Sequence, residues 1–184
     1  MIHYIDVSSV LRRTVCDLYS NLVTRSTGMA VRREIETALA ALPDPSLTII
    51  DFSHVGLLDF SCADEVVGKL LASIYLGPAR REAYVLVRGA GDAHLEAIEA
   101  VLERYGLAVT VEDADGRSRV VGALEEHQQR AFDVVCSRGV VVPADVAPEL
   151  GEEPERLVRT LDGLWQRRLV MRIDDSYLAL QRAL

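Results

Sequence analysis

The chain has 184 residues, of which 49% are hydrophobic and only 5% aromatic, and it carries a formal net charge of −8. That length and apolar content suit one or two small domains able to bury a core without staples. The acidic balance excludes general affinity for polyanions and leaves nucleic acid only to a local basic patch. The three cysteines, Cys16, Cys62 and Cys136, are odd in number and far apart. They fit neither a disulfide framework nor a zinc site and read as reduced thiols. "MIHYIDVSS" has no basic stretch followed by an apolar run, so no secretion signal is expected. No apolar stretch approaches the roughly 20 residues of a membrane span. The expected setting is a bacterial-type cytoplasm, with no membrane partner.

Taken in chain order, Ile2–Val7 alternates and starts with β-branched and aromatic residues, which predicts a strand. Ser8–Thr27 reads ambiguously, as a second strand or as a helix ending at Gly28. Met29–Leu42 places Val31, Ile35, Ala38, Leu39 and Leu42 on one helical face, and Pro43 and Pro45 stop it. Leu47–Phe52 is apolar throughout, the mark of a central buried strand. Ser61 then precedes a stripe of Val66, Val67, Leu70, Leu71 and Ile74, with Asp64 and Glu65 in the first turn. This predicts a helix capped by Ser61. A loop over residues 77–82, a buried strand Ala83–Gly89 and a helix over 92–106, capped by Asp92 and ended by Gly106, follow. Leu107–Asp113 is a strand and residues 113–118 a turn. The alternation predicts an α/β layer through about residue 115.

Beyond that turn the pattern changes. Helices are expected over 123–139, 142–151 and 152–169, then a two-strand hairpin turning at Asp174 and Asp175. Three helices and a hairpin is the winged-helix order, a relative of helix-turn-helix. The boundary falls at the turn, giving domains 1–116 and 117–184.

Catalytic chemistry finds little footing. There is no glycine-rich phosphate loop and no His-Glu metal motif, and His3, His54, His94 and His127 lack ligand spacing. A Ser61 nucleophile needs a base, and nothing in the sequence sets His54 against it. Cys62 at a helix start would be activated by the dipole, but Asp64 and Glu65 oppose that. The expectation is a protein that is not an enzyme and needs no cofactor or metal.

The run "LTIIDFSHVGLLDFSCADEVVGKLL" resembles the core of the STAS domain of sulphate transporters and anti-sigma factor antagonists. Ile49, Ile50, Asp51, Ser53, Val55, Asp59 and Ser61 follow that family's order: an apolar strand ending in Asp, a short loop, and Asp-x-Ser at a helix start. The resemblance covers residues 1 to about 115 and is closest to a divergent branch with Ser-x-Ala-Asp-Glu at the helix start, here Ser61 to Glu65. It departs at Cys62, where a small residue is usual, and at Phe60, where a second serine is often found. The resemblance implies a mixed sheet flanked by helices. It also makes Ser61 the candidate phospho-acceptor, switched by a histidine-kinase-like ATPase or paired with an anti-sigma factor. A phosphate there would add about −1.5 to −2 charge to a docking face. The implied partner-binding surface is Ser53, His54, Asp59, Ser61, Cys62, Asp64 and Glu65. The plainer alternative is that Ser61 only caps its helix.

In the C-terminal module, Glu149, Glu152, Glu153 and Glu155 crowd the start of the presumed recognition helix. Arg156, Arg159, Arg167, Arg168 and Arg172 are the candidate nucleic-acid contacts, and Trp165 reads as core. Like-charge repulsion from phosphates favours protein contact or homodimerisation over DNA. The leading expectation is therefore a non-catalytic regulator acting by protein–protein binding, similar to an anti-sigma factor antagonist. The alternative is a DNA-binding transcription regulator using the winged helix.

Overall fold

Asp6 ends the first strand and begins the first helix. Its Oδ1 accepts the backbone N–H of Ser8 at 2.9 Å, an N-cap that turns the chain off strand β1 (Ile2–Asp6) into helix α1 (Val7–Thr14). The computed structural model describes residues 1–77 and 81–183, so three of the six residues of the loop expected over 77–82 lie outside the described residues. After an irregular stretch, Thr24 caps α2 (Arg25–Ala40), which leads to β2 (Ser46–Asp51). Gly28, expected to end a helix, lies inside α2 instead. A Cβ there would sit 3.0 Å from the Cys62 Cα, so the glycine lets α2 pack against the backbone of the next helix.

That next helix runs as α3 (Phe60–Ala63), a wider π-helical segment (Asp64–Lys69) and α4 (Leu70–Tyr75). It is wedged between α2 and α5 (Asp92–Tyr105). On the α5 side Gly68 leaves room, since a Cβ there would collide with Val101 Cγ1. Asp92 is the first residue of α5 and Gly91 its cap, while Gly106 ends the helix in the left-handed conformation as expected.

Strands β3 (Ala83–Arg88) and β4 (Ala108–Glu112) extend the sheet, which has five strands in the order β1-β2-β3-β4-β5. Strands β1 to β4 are parallel, and β5 (Ser118–Gly122) runs antiparallel to β4. The turn near residue 115, read as a domain boundary, is thus a hairpin turn within the sheet. Strand β5 escapes a sequence reading because "SRVVG" is short, with only two strongly apolar residues. Each parallel crossover steps one strand in the same direction, so the right-handed rule puts all the crossover helices on one face. Ile5, Ile50, Val85, Val87, Val109 and Val111 meet α1, α2, α4 and α5 there.

The opposite face belongs to the C-terminal module: α6 (Glu126–Arg138), β6 (Val140–Val141), α7 (Pro143–Leu150), α8 (Pro154–Gln166), β7 (Val170–Ile173) and β8 (Ser176–Ala179). The two-residue β6 joins the expected hairpin to make a three-stranded antiparallel sheet in the order β6-β8-β7. Leu47, Ile49, Tyr84 and Leu86 pack against Leu180, Trp165 and Met171. The Trp165 indole donates to the Tyr84 hydroxyl at 3.1 Å. Among the described residues no helix is long and apolar enough to cross a membrane.

Candidate partner-binding surface

The loop between β2 and α3 sits at the carboxyl end of the parallel strands, where open α/β sheets place their sites. Asp51 shapes its start: Oδ1 accepts the Ser53 N–H at 2.7 Å, and Oδ2 accepts the Tyr4 hydroxyl. The loop is pinned from two sides. His94 Nδ1 accepts the Gly91 N–H at 3.3 Å, leaving Nε2 to donate to the Gly56 carbonyl at 3.0 Å. The segment before α2 pairs with the loop through Leu22 N–H to Leu57 O at 2.7 Å, Gly56 N–H to Ser20 O at 2.7 Å and Asp59 N–H to Leu22 O at 2.9 Å. His94 and Asn21, which accepts the Leu57 N–H, are positioning residues that the sequence alone did not single out. Their loop partners, Gly56 and Leu57, lie more than 30 residues away.

This pairing sorts the side chains. Leu22 and Leu58 are buried, while Val23 and Leu57 turn outward, and Tyr19 and Phe60 are exposed as well. Leu57 is 60% exposed, and Phe60 is 41% exposed under the Arg104 guanidinium. These apolar residues were not among the sequence candidates, because single exposed hydrophobes in a loop carry no period.

The expected site residues divide into two groups. Ser53 and His54 are exposed and Asp59 and Ser61 half-buried, all at this end of the sheet. His54 lies 3.9 Å from Asp6. Cys62, Asp64 and Glu65 are buried and turn inward, which removes them from the surface. The Cys62 thiol donates to the Thr24 carbonyl at 2.9 Å. Burial, and then the neighbouring Asp59 charge, push its pKa up to about 11, so it stays protonated and unreactive at neutral pH.

Asp64 and Glu65 feed an ion-pair network. Arg25 donates to Asp64 at 2.7 Å and to Glu65 at 2.9 Å, and Arg32 donates to Glu65 at 3.1 Å. Lys69 also pairs with Glu65, and the Tyr105 hydroxyl donates to Asp64 at 3.0 Å. The wide π turn lets two successive acids face inward together. Burial pushes both carboxyls up, but the bonds from Arg25 and Tyr105 to Asp64, and from Lys69, Arg25 and Arg32 to Glu65, outweigh it and hold both below the usual range. Neutralised in this way, the two acids do not oppose an anion near Ser61.

The helix cap is Asp59, not Ser61. Asp59 Oδ1 accepts the Cys62 N–H at 2.8 Å and the Ser61 hydroxyl at 2.9 Å. Asp59→Ala is expected to cost about 1 kcal/mol through the lost cap. Ser61→Ala removes a single part-buried hydrogen bond and is expected to cost less, about 0.5 kcal/mol. Urea denaturation of both variants checks the order, and a larger loss for Ser61→Ala would put the cap back on Ser61.

Of the five candidate nucleic-acid contacts, three are engaged within the protein. Arg167 donates to Gln128 and to the Ala123 carbonyl, and burial pushes its pKa down. Arg168 lies over the Tyr84 and Trp165 rings, and Arg172 pairs with Asp162 at 2.8 Å. Only Arg156 and Arg159 are exposed. Among the described residues no cluster of His, Cys, Asp or Glu could hold a metal ion. Comparison with protein-family models, with curated proteins and with solved structures finds no match to this chain.

Proposed function

We propose that this chain is a non-catalytic regulatory protein that acts by binding another protein through the surface around the α3 start, similar to an anti-sigma factor antagonist. The observation that carries this reading is the set of solvent-facing apolar side chains, Val23 and Leu57 on two segments hydrogen-bonded to each other and Phe60 next to the half-buried Ser61 at the start of α3. Exposed hydrophobes on a fixed frame are what an interface core requires. The STAS-like order of β2, loop and Ser-bearing helix supports the same reading. By that resemblance the partner is a histidine-kinase-like ATPase or an anti-sigma factor, and Ser61 is its phospho-acceptor. A phosphate on Ser61 would face Asp59, break the 2.9 Å bond and put charge into an apolar interface. Leu57→Asp and Phe60→Asp are expected to leave stability within about 0.5 kcal/mol, as surface substitutions do. Each should weaken partner binding at least tenfold, by roughly 1.4 kcal/mol or more. Calorimetry against the partner, with thermal melts of each variant, reads both effects.

A second reading rests on the C-terminal module. Its elements follow the order of a winged helix, and its sheet order, β6-β8-β7, fits that fold. DNA binding would then fall to α8. With Arg156 and Arg159 flanked by Glu152, Glu153 and Glu155 at the helix start, no tight duplex binding is expected at physiological salt. Anisotropy with random and upstream duplexes tests this. Sequence-selective binding at nanomolar concentration would promote the DNA-binding reading over the first.

A further inference from the structure

Strand β1 pairs with β2 on one side and forms one margin of the sheet. The Met1 carbonyl accepts the Leu47 N–H at 3.0 Å, so that residue's polar groups turn toward β2. Successive strand residues turn opposite ways, so Ile2 and Tyr4 present their N–H and C=O to the open side. Natural edge strands are normally guarded by lysine, proline, a bulge or inward charge. Residues Ile2 to Ile5 have none of these, and the Ile2 and Tyr4 side chains are 44% and 51% exposed. Beside this edge runs a groove walled by Arg13 of α1 and Glu34 of α2.

We infer that β1 pairs antiparallel with β1 of a second copy of this chain, across a two-fold axis at Tyr4, joining two five-stranded sheets into one of ten. Two features select a second copy over a foreign strand. Centred on Tyr4, the pairing satisfies the outward N–H and C=O of Tyr4 against those of its mate, and the Ile2 C=O against the Asp6 N–H, the Asp6 C=O being committed to α1. Each copy also carries both an exposed cation, Arg13, and an exposed anion, Glu34, on the same groove. A two-fold rotation makes an Arg13–Glu34 contact between the copies reciprocal, so that it forms twice.

Sedimentation equilibrium on the full chain tests the pairing. The wild type is expected to run at twice its 20.3 kDa mass. Tyr4→Pro removes the outward N–H of Tyr4 and leaves the β2 bonds in place, so it should be monomeric. Arg13→Glu and Glu34→Arg each turn two attractive pairs into repulsive ones and should raise the dimer dissociation constant roughly tenfold. The double reversal should restore it. If Tyr4→Pro does not fold, the charge swap on exposed side chains decides alone. A wild type that stays monomeric at every concentration, or a dimer indifferent to both single charge reversals, overturns the pairing.

Discussion

Glu65→Ala is expected to lower the unfolding free energy by about 3–5 kcal/mol, the range for removing one partner of a buried ion network. Glu65 is 1% exposed and binds Arg25, Arg32 and Lys69. Those cations are between 20% and 51% exposed, so water recovers part of their solvation and the loss should lie at the low end. The effect goes beyond charge. The network ties α2 to the π-helical segment, and that segment follows directly from the helix start carrying Ser61. The acid limb of stability should report the same contacts. Asp64 and Glu65 titrate below their ordinary range in the folded protein, so each contributes stability that is full above the unfolded carboxylate pKa, about 4. That contribution is lost as pH falls through the folded values. Urea midpoints of wild type and Glu65→Gln should therefore converge on acidification. A Glu65→Ala loss under about 1 kcal/mol at neutral pH would mean that water already solvates the network.

Trp165→Ala is expected to cost about 3 kcal/mol, at the low end for a tryptophan truncation because the ring is half-buried. The indole fills the face made by Leu47, Ile49, Tyr84 and Leu86, bonds Tyr84, and lies under Arg168 and Arg172 at 5.8 and 5.6 Å. A loss of that size corresponds to a melting point lower by about 6–12 °C for a chain of this length. Because the two modules share that face, wild type should melt in one transition and Trp165→Ala should broaden or split it. Calorimetry distinguishes these outcomes. Two transitions in wild type, both untouched by Trp165→Ala, would show that the modules are energetically independent. Trp165→Phe keeps most of the ring contact and loses the Tyr84 bond, so it should cost about 1 kcal/mol.

The sheet core was legible because its residues obey simple periods. The apolar run in β2, the stripe through Val66, Val67, Leu70 and Leu71, and the α5 pattern ending at Gly106 all point to the elements observed. Short or tertiary features were not legible. Strand β5 has only two strongly apolar residues, side by side, and β6 has only two residues in all, so neither shows an alternation. Gly28 looked like a stop because glycine usually is one, whereas here it serves a helix crossing fixed by the distant Cys62. Asp64 and Glu65 read as a solvated first turn, since adjacent acids normally are. What buries them is Arg25 and Arg32, which precede them by more than 30 residues. The sequence places the cap two residues too late, because Asp59 and Ser61 are both good caps and only backbone geometry separates them. The apolar rim of Val23, Leu57 and Phe60 depends on two loops meeting, which no local pattern announces.

Titration calorimetry of the partner against wild type, Ser61→Asp and Leu57→Asp decides whether the surface around Ser61 is the proposed docking face. The partner is first captured on the wild-type chain and then purified. Saturable one-site binding is expected of wild type and at least tenfold weaker binding of both variants, with all three melting within a few degrees of one another. Equal affinity across the three proteins would contradict it, and would leave Ser61 as no more than a hydrogen-bonding neighbour of the Asp59 cap.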